Sequence, residues 1–250
     1  MPEPTVILAV TATFLLAGMV KGVIGLGLPS VSLALLTVAF DLPSAMALLL
    51  VPSFVTNLWQ ALAGGHGSVI LRRIWPFLLM ATVTVWIGAA ALTRVDLALL
   101  TALLGALLVI YAVVNISGFR LNIPVRHESW VGPLIGSANG VLTGMTGSFV
   151  VPGVMFLQGI GLSRDLLIQA MGMLFTVSTL ALGVALQKAD FITVEYGVLS
   201  AGAVLPAIAG MILGQRIRQK LSEQRFKNIF FVVLLLLGAY IIAGALSKFA

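Results

Sequence analysis

The chain has 250 residues, of which 60% are hydrophobic and 9% are charged, and its mean hydropathy is +1.14. This balance excludes an ordinary soluble domain and indicates a polytopic membrane protein with short loops and no separate soluble module. The net charge is +6, but no basic face is large enough to indicate nucleic-acid binding, and the absence of cysteine excludes disulfides and thiolate metal sites.

Apolar segments follow one another along the chain. Five are long enough to cross a hydrocarbon core of about 30 Å, which takes roughly 20 helical residues. These predicted spans are 44–63, 74–92, 97–116, 195–214 and 228–247. The other segments are 6–24, 29–40, 130–143, 148–160 and 165–187. Since 29–40 and 148–160 have only about a dozen residues each, we expect them to be short or re-entrant legs.

Clustered glycines followed by a proline interrupt this hydrophobicity twice. The clusters are Gly18, Gly22, Gly25, Gly27 with Pro29, and Gly136, Gly140, Gly144, Gly147 with Pro152. Corresponding breaks in two halves are typical of transporters with a binding site at the repeat interface. Close helix packing through small residues is the alternative explanation of the glycines. The prolines additionally fit helix restarts, whose positive dipole ends favour an anion.

The distribution of Lys and Arg distinguishes two ways of threading the broken segments. With Lys21 set aside as intramembrane, hairpins place ten basic residues inside and three outside, whereas one broken span in each half gives seven and six. The positive-inside rule therefore favours hairpins, with the two halves oppositely oriented and both termini outside. The ten are Arg72, Arg73, Arg120, Arg126, Arg164, Arg216, Arg218, Lys220, Arg225 and Lys227, and the three are Arg94, Lys188 and Lys248.

We therefore predict an all-α integral membrane protein that is a single domain with an inverted repeat of two helical halves, each containing a Gly/Pro-broken helical hairpin. Repeat 1 covers about 5–116 and repeat 2 about 130–248. The two hairpins are expected to meet near the membrane centre and form one site. The supporting similarities are Gly22-Val-Ile-Gly25 with Gly140-Val-Leu-Thr-Gly144, and the pairs Leu42/Leu162 and Thr56/Thr176 at a spacing of 120.

The repeated glycine-rich break followed by proline, in a short permease-like chain, resembles the TauE/SafE sulfite exporter family over nearly the whole sequence. Members often have consecutive glycines before the proline, whereas this chain has Gly25-Leu-Gly27-Leu-Pro29, and Gly144-Met-Thr-Gly147-Ser148 with Pro152 later. The resemblance implies an inner-membrane permease for sulfite, sulfoacetate or other organosulfonates, typically working in export. A membrane scaffold, an anion channel and a permease for a different small anion are the alternatives.

Lys21 is the most informative single residue, because an ionisable group inside an apolar segment is costly and often functional. It either binds the anion or snorkels to the headgroups at the cytoplasmic end of the first helix. The corresponding position in the second half is assigned to Asn139, which is uncharged.

Hydroxyl and amide groups crowd around the second break and recur on single faces of the following helices, where they are able to orient an oxyanion. Their alternative roles are hydrogen bonds to the preceding helical turn or between helices. The predicted substrate-binding residues are Lys21, Gly25, Gly27, Ser30, Asn57, Asn139, Thr143, Gly144, Thr146, Gly147, Ser148, Gln169 and Thr176.

No catalytic constellation is evident in the sequence, so we do not expect an enzyme. A nucleotide-binding loop of the form Gly-x4-Gly-Lys-Ser/Thr is missing, and the acidic residues stand at segment ends rather than in a buried proton relay. His66 and His127 lie in loops without clustered ligands, so neither a metal nor a cofactor is expected. The expected partners are a small anionic sulfur compound and the lipid bilayer, and a homo-oligomer is left open.

Overall fold

A computed structural model of the protein describes residues 3–119, 121–219 and 223–247. These residues form twelve α-helices and one 3-10 helix, and no strand. The helices are α1 (Pro4–Ile24), α2 (Leu28–Ala39), α3 (Leu42–Leu62), α4 (Gly67–Val83), α5 (Val85–Ala89), the 3-10 helix Ala90–Thr93, α6 (Leu97–Ser117), α7 (Val125–Thr146), α8 (Gly153–Gly159), α9 (Arg164–Lys188), α10 (Val194–Gly202), α11 (Val204–Arg218) and α12 (Glu223–Leu246).

Seven helical stretches of the described residues are long and apolar enough to cross a membrane. They are Pro4–Ile24, Leu42–Leu62, Gly67–Thr93, Leu97–Ser117, Arg164–Lys188, Val194–Arg218 and Gln224–Leu246. The prediction of an all-α, multi-pass membrane protein is therefore confirmed, and each of the five long predicted spans falls on one of these stretches and extends beyond it by at most one residue. Arg120, Lys220 and Lys248 lie outside the described residues.

The two short legs differ from each other. The leg predicted at 29–40 corresponds to α2, whereas the leg predicted at 148–160 contains only the seven-residue helix α8. Residues 148–152 have no helical backbone, yet most of them are buried, which is the condition under which irregular backbone is tolerated at membrane depth. The second leg is therefore short, as expected, but it is helical only from Gly153, because Pro152 delays the restart of the helix.

Helices α3 and α9 pack against each other in opposite directions. Near the end of α3, Gln60 Nε2 donates to the carbonyl oxygen of Ile168, near the start of α9, at 2.7 Å. In the first half of α3, Leu50 Cδ1 lies 3.7 Å from where a Cβ on Gly183 would be, close to the end of α9. The hairpin threading requires this antiparallel arrangement, whereas one broken span in each half would make α3 and α9 parallel. The packing therefore agrees with the hairpins that the charge distribution predicts.

Helix boundaries in the two halves recur at a spacing of 122 residues. α1 and α7 both end at a glycine with a left-handed backbone, Gly25 at φ 80° and Gly147 at φ 73°. α3 and α9 follow the cap residues Asp41 and Ser163. These boundaries are consistent with an inverted repeat, but they replace the expected spacing of 120, which rested on single matching residues. Helix caps define the register more directly, since they mark the element ends themselves.

The new register changes the counterpart of Lys21. At a spacing of 122, Lys21 corresponds to Thr143 rather than to Asn139. Contacts between the halves follow the same register. A Cβ on Gly25 would lie 3.6 Å from Ile168 of α9, and one on Gly147 would lie 2.7 Å from Met46 of α3. Ile168 and Met46 are themselves 122 positions apart.

Glycines bring two pairs of parallel helices into backbone contact. α1 packs on α11, where a Cβ on Gly22 would lie 2.2 Å from the carbonyl oxygen of Met211. α7 packs on α4 and α5, where a Cβ on Gly144 would lie 2.1 Å from the carbonyl oxygen of Val85. No side chain fits at such distances, so close packing explains these glycines. The same tight contacts occur at Gly18, Gly136 and Gly140.

A proline inside α3 links this helix to α10. Pro52 has no N–H group and leaves the carbonyl of Leu48 without its usual helical donor. The hydroxyl of Ser200, in α10, donates to the Leu48 oxygen at 2.8 Å and accepts from the N–H of Val51 at 3.1 Å. The break is thereby satisfied by a neighbouring helix, as an apolar environment demands.

Candidate functional site

The first break is a tight turn between α1 and α2. The N–H of Gly25 donates to the carbonyl of Lys21 at 2.8 Å and closes α1. Gly27, at φ 103°, is the N-cap of α2, and Pro29 lies in its first turn. The left-handed conformation at Gly25 and Gly27 strains any residue with a side chain, so this turn depends on glycine. Ser30 is buried in the first turn of α2.

Lys21 is buried against α3. Its side chain is 4% exposed, and its ammonium donates to the hydroxyl of Thr56 at 3.2 Å and to the carboxamide oxygen of Asn57. Among the described residues, no carboxylate lies within 4.0 Å of this ammonium. Lys21 therefore points into the helix bundle in this structure and does not snorkel to the membrane surface.

Two further polar groups beside Lys21 lack partners. The Nδ2 of Asn57 and the hydroxyl of Ser53 are both buried without a hydrogen bond. Ser53 stands one helical turn before Asn57, so the two side chains share a face of α3. An unpaired buried donor is costly, so each of these two groups has unused capacity for a hydrogen bond. Lys21, Thr56, Asn57 and Ser53 are hereafter called the lysine cluster.

The second break carries the polar residues that the sequence singled out, and most of them bond within it. Thr143 Oγ1 donates to the carbonyl of Ser148 at 2.9 Å, and the N–H of Ser148 donates to Thr146 Oγ1 at 3.2 Å. Asn139 Oδ1 accepts from the N–H of Gly153, at the start of α8, at 2.8 Å. Its Nδ2 is buried without a partner. Asn139 is therefore the residue at this break that retains a free buried donor.

The turns of the two hairpins lie at opposite ends of the α3–α9 pair. Gly147 contacts Met46 near the start of α3, whereas Gly25 contacts Ile168, which bonds to Gln60 near the end of α3. Met46 and Gln60 are fourteen residues apart, and this corresponds to about 21 Å of helix. The expectation that the hairpins meet at the membrane centre was wrong for their turns, since α1 and α7 each extend for a full span before they end.

The start of α8 nevertheless returns to the depth of the lysine cluster. A Cβ on Gly153 would lie 2.9 Å from Leu174 of α9. Two residues before Leu174, Gly172 packs on Ala61 of α3. Because α3 and α9 are antiparallel, Leu174 lies within about one turn of the depth of Asn57. The two buried amides with unpartnered Nδ2 groups, Asn57 and Asn139, are therefore at similar depths in the bundle.

The remaining predicted polar residues are engaged in helix contacts. Gln169 Nε2 donates to the carbonyl of Ala61 at 2.9 Å, and Gln169 Oε1 accepts from the N–H of His66 at 3.2 Å. Thr176 donates to the carbonyl of Gly172 at 2.7 Å, the local bond expected as the alternative role. Their prediction as substrate-binding residues stays a prediction.

Ser53 and Thr56 are not among the site residues predicted from the sequence. Both precede Asn57 on α3, and Ser53 shares its polar stripe. The polar stripe was therefore the sequence signal from which Ser53 could have been predicted. The stripe does not indicate that Lys21 is its partner, because the contact between Lys21 and Asn57 joins residues 36 positions apart.

Two helical halves with corresponding Gly/Pro breaks around buried polar groups are features of the membrane transporter class. A comparison with protein families agrees with this class. The family model described as "Sulfite exporter TauE/SafE" matches residues 10–241, and the chain belongs to that family. No curated protein and no solved structure matches the chain in the corresponding searches.

Proposed function

We propose that this protein is a secondary transporter that exports sulfite or an organosulfonate-type anion across the cytoplasmic membrane. The observation that carries the proposal is the buried ammonium of Lys21, which has only neutral partners among the described residues. A buried charge without a counter-ion costs several kcal/mol in real proteins. An anionic substrate supplies the missing charge, and it does so only while it is bound.

The lysine cluster also offers groups that suit an oxyanion. The free Nδ2 of Asn57 donates one hydrogen bond, and the hydroxyl of Ser53 donates a second. In this arrangement the Asn57 oxygen holds the ammonium while its nitrogen faces the anion. One cation with neutral donors binds an anion more weakly than paired cations would, and this favours release on the other side.

The transport cycle proposed here is alternating access by an integral domain with two inverted repeats. The halves rock against each other along the α3–α9 contact. Both termini lie outside in this proposal. Most basic residues of the described loops then face the cytoplasm, where export begins.

The test is flux through the purified protein in liposomes. Efflux of sulfite and sulfoacetate is measured with sulfate and chloride as controls, with and without a pH gradient. The expected result is saturable, selective flux of the sulfur anions that falls in Lys21→Gln and is retained in Arg94→Gln, which removes a positive charge remote from the lysine cluster. No flux from correctly inserted protein would contradict the proposal and favour a scaffold, and flux without saturation would indicate a channel.

A further inference from the structure

A cavity of about 430 Å³ opens at the basic end of the helix bundle. It lies where α1, α8 and α6 end and where α9 and α12 begin. Its wall includes Ile24, Asn115, Gln158, Arg164, Lys227 and Phe231. None of these residues belongs to the lysine cluster or to the second break, so the cavity is a separate feature.

The described lining of this cavity has the chemistry of an anion site. Arg164 and Lys227 contribute positive charge, and the carboxamides of Asn115 and Gln158 contribute hydrogen-bond donors. No Asp or Glu occurs in that described lining. A concave, low-dielectric wall with one sign of charge concentrates the opposite ion.

Apart from Gln224 and Asn228, the remaining wall is mostly apolar, and the volume of about 430 Å³ is large for an inorganic anion. Besides Ile24 and Phe231, the lining includes Leu26, Val114, Phe119, Leu162, Leu167, Ile168 and Met171. Pockets that hold organic ligands span about 300–1,000 Å³ and are mostly apolar with a few placed polar groups. The cavity therefore suits an anion that carries an organic body better than it suits sulfite alone.

The inner wall of the cavity adjoins the lysine cluster. Ile24 stands one helical turn after Lys21 on α1, and Ile168 accepts a hydrogen bond from Gln60, one turn after Asn57 on α3. An anion in the cavity is thus separated from Lys21 by about one turn of helix.

We infer that this cavity is a vestibule that captures an organic sulfonate from the basic face and passes it towards Lys21, with Arg164 and Lys227 attracting the sulfonate group. The direction of passage rests on the proposed function. The capture itself does not, because it is an equilibrium property of the cavity.

The test uses the absence of cysteine from the chain. Gln158→Cys introduces one thiol into the vestibule, and Asn115→Cys provides a second, independent position. Each purified variant is reacted with sulfonatoethyl methanethiosulfonate, which is itself an organic sulfonate, and with its cationic trimethylammonium counterpart. Exposed Ser68→Cys, on α4, reports reagent behaviour outside the vestibule.

The measured quantity is the rate at which the anionic reagent modifies the cysteine, divided by the rate for the cationic reagent. In the Gln158→Cys background, we expect Arg164→Gln combined with Lys227→Gln to lower this ratio by about tenfold, and sulfoacetate to slow the anionic reagent. Arg225→Gln removes a charge from the same helix as Lys227 without touching the lining, so it should leave the ratio nearly unchanged. Equal effects of Arg225→Gln and the double charge variant would overturn the vestibule. So would a ratio that the double charge variant leaves unchanged in both the Gln158→Cys and the Asn115→Cys backgrounds.

This test and the test of transport fail separately. A normal vestibule response in a protein that shows no sulfur-anion flux would leave capture intact and reject the transported substrate. Normal flux with no charge effect on labelling would reject the vestibule and leave the transport proposal standing.

Discussion

Lys21 donates to the carboxamide oxygen of Asn57, and this contact joins the end of α1 to α3 at the first helix break. The partner is neutral, and the Nδ2 of the same carboxamide has no partner. The pair therefore holds a positive charge in a bilayer-spanning bundle without cancelling it. An arrangement of this kind is costly for folding alone, which is why it is read as functional.

Replacing Lys21 by Met should separate function from stability. The methionine side chain fills similar space and removes the buried charge, so the unfolding temperature should stay the same or rise. Transport should fall at least about tenfold, because a hydrogen bond to a charged group contributes about 1.5–3 kcal/mol. Thermal unfolding in detergent and initial flux rates in liposomes measure the two effects. A large loss of stability with normal specific flux would assign Lys21 a structural role.

The glycine contacts predict a contrast between two alanine substitutions. Gly144→Ala places a methyl group against the carbonyl of Val85, so α5 and α7 must separate. Such overpacking typically costs about 1–3 kcal/mol. Gly183→Ala is the matched control, since its Cβ would meet only Leu50 at ordinary contact distance. Gly144→Ala should unfold at a lower temperature than Gly183→Ala, and equal temperatures would show that the α5–α7 contact accommodates a methyl group without cost.

The extent of the spans follows from the sequence because runs of apolar residues have to match the bilayer thickness. The hairpin threading was predictable for a second reason, since loop charges report orientation independently of the helices. Neither signal describes which helices touch. The bond of Gln169 to Ala61 joins residues 108 positions apart and was not predictable from periodicity.

At the second break, the sequence also leaves the hydrogen-bond partners of the polar side chains undetermined. Its Ser, Thr and Asn residues are recognisable as a cluster, but the sequence does not say which of them bond to the backbone. In the structure Thr143 bridges the turn to Ser148, and Thr146 bonds back to Leu142 at 2.7 Å. Local bonding therefore occupies hydroxyls that composition alone presents as free.

Gln169 allows a test between substrate binding and helix bracing. Gln169→Leu leaves the Ala61 carbonyl and the His66 N–H without this partner, and an unsatisfied buried group costs about 1–3 kcal/mol. If bracing is its role, the unfolding temperature should fall while the KM for sulfoacetate stays constant. A raised KM with normal stability would instead support the predicted contact with substrate.

The threading of the chain is testable with two single cysteines. Ser68 is exposed at the start of α4, and Thr93 is exposed after α5 at the other end of the same span. If the hairpins place the basic loops in the cytoplasm, an impermeant maleimide should label Thr93→Cys on intact cells. Ser68→Cys should react only after permeabilisation.

The alternative threading reverses both results, because one broken span in each half would place Ser68 outside and Thr93 inside. The cysteine-free parent measures background labelling, and denatured samples show that each thiol is able to react. Labelling of Ser68→Cys on intact cells, with protection of Thr93→Cys, would therefore contradict the orientation. It would also place Arg72 and Arg73 on the outer face, and the vestibule near Arg164 would then face the exterior if the hairpins are retained.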